Sequence, residues 1–198
     1  MAGQRPLKPS ILVRIQVGHQ LKKYFLSTMP KTIYRYPQKS DAAQLLEFIN
    51  TLSAEQTYIR MQGKVVTLEE EEKYLNDFLK NIKDKKAIKI LAFDNEQLVG
   101  AADINMGFGA ENHVGVFGIT VAKSHRGQGI GSELMSKTID AAKTNIPNLE
   151  IITLGVFADN TKAILLYQKY GFKQYGILPN GAVRRGIHSD HIQMYLEV

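Results

Sequence analysis

Cysteine is absent from this chain of 198 residues. The absence excludes a disulfide framework and a thiol nucleophile, and it suits a reducing compartment, so we expect a cytoplasmic protein. No apolar run approaches the roughly 20 residues that a membrane-spanning helix needs, so we expect no membrane partner. Because 44% of the residues are hydrophobic, the chain can build one domain with a substantial core.

Acidic residues are absent from residues 1–40, which contain eight lysines and arginines. The remainder holds 17 basic and 19 acidic residues, so the net charge of +6 arises at the N-terminus. Lys22 and Lys23 interrupt the apolar stretch that a secretory signal would need. We therefore predict a basic extension over residues 1–30 and a single domain over residues 31–198.

Three interpretations of the basic extension stay open. It is an appendage without a separate function, in which case Met29 is the natural alternative start; it is an arm that packs on the domain or joins a homodimer; or it targets the chain or contacts a polyanion. Nucleic acid is not an expected partner of the domain itself, because residues 41–198 have a net charge of only −2.

Hydrophobic periodicity divides the domain into alternating strands and helices, with no internal repeat. Thr67 and Glu70 have the spacing of a capping box, Ser40 is a candidate helix cap, and residues 94–96 predict a hairpin turn. Strands are predicted over residues 32–36, 87–93, 97–105, 113–121, 149–157, 172–178 and 191–197. Helices are predicted after Ser40, over 67–82, 129–143 and 160–170, with a broken helical stretch over 54–61.

A glycine-rich turn connects a predicted strand to a predicted helix at residues 119–131, which read ITVAKSHRGQGIG. This segment contains neither the dinucleotide-binding GxGxxG pattern nor the P-loop pattern. A helix N-terminus nevertheless offers free backbone N–H groups and a partial positive charge, and glycines allow close approach to a phosphate. The alternative is a tight turn that binds no ligand.

A second patterned segment covers residues 160–172. Its physical features are those of a short amphipathic helix, with a cap at Asp159 or Asn160 and a left-handed stop at Gly171. Tyr167 lies two turns after Asn160 and therefore on the same side of the helix. From helical spacing alone, Tyr167 is equally well explained as a packed face residue.

Taken together, Arg-x-x-Gly-x-Gly at 126–131 and N-x-x-A-x-x-L-Y-x-x-x-G-F at 160–172 resemble the GCN5-related N-acetyltransferase family, over roughly residues 32–198. The resemblance implies an α/β fold in which a mixed sheet carries helices on both faces, in the order βααβββαβαββ. It also implies acetyl-CoA as acetyl donor and no metal.

The resemblance also implies roles for individual residues. Tyr167 would be the general acid that protonates the departing thiolate, and Asn160 would hold the cofactor or orient its loop. Arg126 would add a charge-assisted contact to phosphate. The pantetheine arm would pair with the backbone of Ile119, Thr120 and Val121. The pyrophosphate would bind the backbone N–H groups of Gly127, Gln128, Gly129, Ile130, Gly131 and Ser132.

The sequence indicates less clearly which amine accepts the acetyl group and which group deprotonates it. Relatives that act on small amines often carry a carboxylate where this chain has Val116, which cannot accept a proton. A water chain is one substitute, and the candidate side chains are Glu55, Glu111, His113, Asp190 and His191. We expect a small amine such as an amino acid as acceptor. The alternatives are a protein N-terminus of the ribosomal-protein type, or a non-catalytic module that only binds acyl-CoA.

A chain that starts at Met29 is expected to fold and to acetylate small amines, because the phosphate loop and Tyr167 lie after it. Activity, melting temperature and light scattering of the shortened and full-length chains would be compared. An intact fold without activity would show that the extension shapes the site, and loss of a dimer would make it an assembly element.

Overall fold

A seven-stranded mixed sheet organises the residues that the structure, a computed structural model, describes, namely 32–198. The predicted extension over 1–30 lies outside these residues. The strands are β1 (Ile33–Arg35), β2 (Ala87–Asp94), β3 (Gln97–Met106), β4 (Val114–Val121), β5 (Ile151–Phe157), β6 (Lys173–Arg184) and β7 (Ile187–Glu197). The helices are α1 (Ala42–Glu55), α2 (Leu68–Lys83), α3 (Ile130–Asn145) and α4 (Thr161–Lys169). The predicted order of elements is thereby confirmed.

The strand order is β1-β2-β3-β4-β5-β7-β6, and only β4 and β5 run parallel. Parallel pairing between them covers three residues, from Val114 opposite Ile151 to Val116 opposite Thr153. In contrast, β4 pairs with β3 as far as Val121, and β5 pairs with β7 over its whole length. The sheet therefore consists of two halves that are joined along a short parallel seam.

Helices pack on both faces of the sheet, as predicted, because successive strand side chains point to opposite sides. One hydrophobic core lies between the sheet and helices α3 and α4, and includes Ile104, Leu134, Met135 and Ile152. The second core lies under α1 and α2 and includes Leu45, Leu52, Leu75 and Leu91. Among residues 32–198, no helix is both long and apolar enough to cross a membrane.

Several local predictions are confirmed by backbone geometry. Thr67 and Glu70 form the capping box of α2, with reciprocal backbone contacts. The turn between β2 and β3 places Asn95 and Glu96 at φ of 46° and 65°, which is the conformation of a tight hairpin. Gly171 follows α4 at φ of 88°, as a left-handed stop requires.

Two predictions about α1 are wrong. Ser40 is not its cap, because residues 39–41 form a 3-10 turn and the Asp41 carboxylate binds the Gln38 N–H and the Arg35 guanidinium. The stretch 54–61 does not form a second helical segment either. Helix α1 ends at Glu55, because Gln56 adopts a left-handed conformation with φ of 47°.

The last two strands are longer than predicted. The sequence Pro-Asn-Gly at 179–181 has the composition of a turn, yet the pairing of β6 with β7 continues past it through an irregularity between Leu178 and Ala182. The hairpin turns instead at Arg185 and Gly186, whose φ angles are 51° and 76°. This extension carries the β6–β7 hairpin far enough to contact the end of α1.

Leu134 and Leu165 form a matched pair for testing the core under α3 and α4. Leu134 is fully buried, whereas Leu165 on α4 is 66% exposed. We expect Leu134→Ala to lower the free energy of unfolding by about 2–5 kcal/mol, and Leu165→Ala by less than about 0.5 kcal/mol. Denaturant unfolding would measure both; equal losses would contradict the described core.

Candidate active site

A cleft opens in the sheet where β4 and β5 separate. After Val116, the backbone of residues 117–121 is paired with β3 along one edge and has no partner from β5 along the other. Unpaired strand groups need a hydrogen-bond partner, which water or a ligand in extended conformation supplies. The predicted pantetheine contacts Ile119, Thr120 and Val121 all lie along this edge.

The glycine-rich turn lies beyond the same end of β4. Gly127 and Gly129 have φ of 78° and 87°, and a Cβ atom built on either would meet no atom within 4 Å. Among residues 32–198, no acceptor binds the backbone N–H groups of residues 127–132, the last three of which form the first turn of α3. Residues 127–132 are the predicted phosphate contacts, and together they form an open row of donors at a helix N-terminus.

The Arg126 side chain, predicted to contact phosphate, binds two groups of the protein itself. Its Nε donates to the Val121 carbonyl oxygen at 2.9 Å, and its guanidinium lies 2.8 Å from Glu55 Oε2 at the end of α1. Glu55, one of the candidate bases, is thus the counterion of Arg126. The pair ties α1 to the turn that precedes α3.

Tyr167 lies behind the point where the strands separate. Its ring contacts Phe117, the first β4 residue past the paired segment, edge to face with centroids 6.4 Å apart. Burial raises the pKa of the Tyr167 phenol to about 12. The group is therefore protonated at neutral pH and suited to donate a proton, not to accept one.

The helix that carries Tyr167 is fixed at both ends. At its start, Asn160 Oδ1 accepts the Ala163 N–H at 3.3 Å, so Asn160 is the cap of α4. At its end, the Tyr170 hydroxyl donates to the Ser132 carbonyl oxygen at 2.7 Å, and the Ser132 hydroxyl lies 2.8 Å from Tyr170 Oη. The predicted phosphate loop and the predicted general acid are therefore held in one rigid arrangement.

A polar and aromatic cluster, which sequence reasoning missed, covers the opposite face of the cleft. Tyr58 packs edge to face on Phe157 at 5.7 Å, and the Arg184 guanidinium lies over the Tyr58 ring at 4.7 Å. Arg184 also forms an ion pair with Asp159, whose other carboxylate oxygen accepts the Ser189 hydroxyl. These residues are distant in sequence, so only the pairing of β6 with β7 reveals their proximity.

The remaining candidate bases lie in different places. Glu111 and His113 precede β4, at the end of the sheet where β4 and β5 are still paired. Asp190 accepts the Asn180 N–H within the β6–β7 hairpin. Only His191 lies at the cleft, where its ring covers Gly155 of β5. Burial, together with the positive charge of Arg60, lowers the His191 pKa, so this imidazole is neutral at neutral pH.

A buried ion pair on the same face also escaped sequence reasoning. Lys89 of β2 lies 3.3 Å from Asp103 of β3, and its side chain is almost fully buried. The available signal was a charged residue in the interior of each of two largely apolar strands. Val116, at the position of the missing carboxylate, is 51% exposed on the adjacent strand.

Comparison with known proteins identifies the family. The family model described as the acetyltransferase (GNAT) family matches residues 47–172. Together with the fold, this match shows that the chain belongs to that family. A solved acetyltransferase of the GNAT family from Streptococcus pneumoniae superposes with a TM-score of 0.78 and 29% identity, over 85% of this chain and 100% of that one.

Named relatives differ in the acceptor that their names state. The L-amino acid N-acetyltransferase AaaT of Escherichia coli (strain K12) is 37% identical over 83 residues, which is 42% of this chain and 51% of that protein. The chain thus matches about half the length of this curated relative. A ribosomal-protein-alanine N-acetyltransferase structure from Brucella melitensis has a TM-score of 0.72 and 25% identity, over 84% of this chain and 99% of that one.

Gly129 and Gly109 allow a controlled test of the phosphate loop. Both have positive φ and open space where a side chain would project, but Gly109 lies in the β3–β4 connection. We expect Gly129→Glu to abolish binding of coenzyme A, because a carboxylate would enter the row of N–H donors. Gly109→Glu also places a side chain at positive φ and should bind normally. Equal affinities by calorimetry in folded variants would contradict the assignment.

Proposed function

We propose that this protein is an N-acetyltransferase that moves an acetyl group from acetyl-CoA to the primary amine of a small molecule such as an amino acid. One observation carries the proposal: the unpaired edge of β4 leads from the open N–H groups of residues 127–132 to the phenol of Tyr167. An extended ligand with a pyrophosphate at one end and a reactive sulfur at the other matches this layout.

The residues present fit acetyl-CoA. Backbone N–H groups of residues 127–132 would bind the pyrophosphate, and the free edge formed by Ile119, Thr120 and Val121 would hold the pantetheine arm. Arg126 would reach phosphate only by leaving Glu55, so we assign it the role of fixing the loop to α1. When bound, acetyl-CoA supplies a thioester that an amine can attack.

The chain itself supplies the groups that favour transfer. A backbone N–H on the free edge of β4 can polarise the carbonyl that receives negative charge, in a position preorganised by the sheet. Tyr167 can donate its proton to the departing sulfur, because its raised pKa keeps the phenol protonated across the physiological range. The aromatic packing on Phe117 keeps that phenol beside the point where the strands separate.

The acceptor side favours a small amine. The long β6–β7 hairpin reaches the end of α1, where the Arg185 guanidinium donates to the carbonyl oxygens of Glu55 and Gln56. This contact joins the hairpin to the end of α1, an arrangement that would leave less room for a large acceptor. Similarity to the amino-acid enzyme of Escherichia coli supports the same choice.

A protein N-terminus of the ribosomal-protein type is the second candidate acceptor, favoured by the similarity to the Brucella melitensis structure. A panel of free amino acids, spermidine and short peptides, assayed by thiol release from acetyl-CoA, separates the two candidates. No turnover with any amine despite tight binding of acetyl-CoA would indicate a non-catalytic module. The presence of Tyr167 argues against that outcome, since binding alone needs no proton donor.

Tyr167→Phe retains the ring and removes the proton donor. We expect kcat to fall by about 10²–10³-fold while the affinity for acetyl-CoA changes little. Because the pKa is about 12, wild-type activity should show no loss from this group until the pH rises toward that value. Tyr175→Phe, on an exposed ring of β6, is the matched control. Unchanged kcat in Tyr167→Phe would remove the phenol from the mechanism.

A further inference from the structure

Two glycines face each other across the cleft. The last paired residues of the parallel seam are Val116 and Thr153, so two residues further along lie Gly118 on β4 and Gly155 on β5. Both belong to the face that carries α1 and α2, as do Val116 and Thr153. Because Gly118 has no side chain, the cleft is open beside β4 on that face, with no atom closer than 3.9 Å to the position of a Cβ.

A side chain from the neighbouring strand lies beside each glycine, from β3 at Gly118 and from β7 at Gly155. On one side, Asp103 of β3 pairs with Gly118, and a Cβ built on that glycine would lie 3.9 Å and 4.0 Å from its two carboxylate oxygens. On the other, His191 of β7 places Nε2 2.7 Å from a Cβ built on Gly155. A carboxylate and an imidazole thus line opposite sides of the same opening.

Asp103 is held in place but remains accessible. One oxygen lies 3.3 Å from Lys89 Nζ, the other accepts the Asn105 amide at 2.9 Å, and the side chain keeps 23% of its exposure. Lys89 is enclosed by α2, where its ammonium donates to the Tyr74 hydroxyl and lies 4.4 Å from the Phe78 ring centroid. Burial raises the pKa of Glu71 on α2, and the positive charge of Lys89 partly opposes this shift. The negative charge of Asp103 raises the Lys89 pKa against the effect of burial.

We propose that Asp103 is the base that accepts a proton from the acceptor ammonium, in place of the carboxylate that Val116 cannot provide. The inference rests on the proposed acetyl transfer. Asn105, opposite Val116 on β3, donates its amide to the Asp103 carboxylate and so helps hold it beside Gly118 of β4. The proposed base therefore lies on β3, one strand away from the β4 position of Val116, and is still beside the cleft.

Deprotonation of the acceptor by Asp103 precedes its attack on the thioester. Asp103 takes one proton from the ammonium and passes it to solvent, which leaves a neutral amine. The nitrogen forms a bond to the acetyl carbon, the carbon–sulfur bond breaks, and Tyr167 gives its proton to the sulfur. The second nitrogen proton restores the phenol through solvent. A lysine-like ammonium with a pKa near 10.4 is neutral in only about one molecule in 10³ at pH 7, so a base beside such a group raises the rate substantially.

A purely structural role makes a different prediction. If Asp103 only neutralises buried Lys89, Asp103→Asn leaves an unpaired buried charge and acts through instability. The double variant Lys89→Met/Asp103→Asn removes both charges, so it should regain the melting temperature. Under the proposal it should stay as slow as Asp103→Asn, whereas under the structural role it should regain activity.

The experiment measures kcat/KM by thiol release, with acetyl-CoA and the best amine among free amino acids and spermidine, between pH 6.5 and 9. We expect Asp103→Asn to lose about 100-fold near pH 7 while binding acetyl-CoA normally. Below the pKa of the amine, its kcat/KM should then rise about tenfold per pH unit, following the neutral fraction of the amine, while wild type rises less. Asp77→Asn, an exposed carboxylate on α2, is the control expected to match wild type.

The outcomes are distinguishable. Wild type without turnover of any amine overturns the proposed function and the inference together. An active wild type with an equally active Asp103→Asn, or a double variant that recovers activity, overturns the inference alone. A loss confined to His191→Gln, with Asp103→Asn unaffected, assigns the proton to the imidazole and likewise overturns it.

Discussion

The short parallel seam between β4 and β5 is the constraint on which the candidate site depends. Three residue pairs join the strands, and beyond Val116 each strand is held only by its antiparallel neighbour. The sheet therefore supplies an unpaired backbone edge in its middle, where the two hydrophobic cores keep it rigid. Because this edge lies inside the sheet, another protein reaches it less readily than an outer edge strand. A narrow ligand in extended conformation can still pair with it.

Contacts on both faces hold the two half-sheets together once the seam ends. On one face, Tyr170 and Ser132 connect α4, which follows β5, to α3, which follows β4. On the other, Arg185 of the β6–β7 hairpin binds the end of α1. The cleft is thus preorganised from both sides, which matters because electrostatic stabilisation of a reacting carbonyl depends on donors that do not rearrange.

Local sequence signals predicted the order of elements, the capping box at Thr67, the stop at Gly171 and the row of free N–H groups after Arg126. These features depend on neighbouring residues. The partners of Arg126 and Asp103 were not predictable in the same way, because they depend on strand register and on the packing of α1. A one-residue change of register would turn Asp103 to the other face. The last two strands were predicted too short, at 172–178 and 191–197, because the turn composition of residues 179–181 is absorbed into an irregular strand pair.

The contact made by Arg185 has a consequence for how such a protein can diversify. Its guanidinium donates to the carbonyl oxygens of Glu55 and Gln56, which are backbone atoms at a helix C-terminus and are present whatever side chains stand there. Docking of the hairpin therefore places no requirement on residue identity at the end of α1. Side chains near this end, other than Glu55 with its ion pair to Arg126, can therefore change and remodel the entrance for a new acceptor while the docking contact of Arg185 is retained.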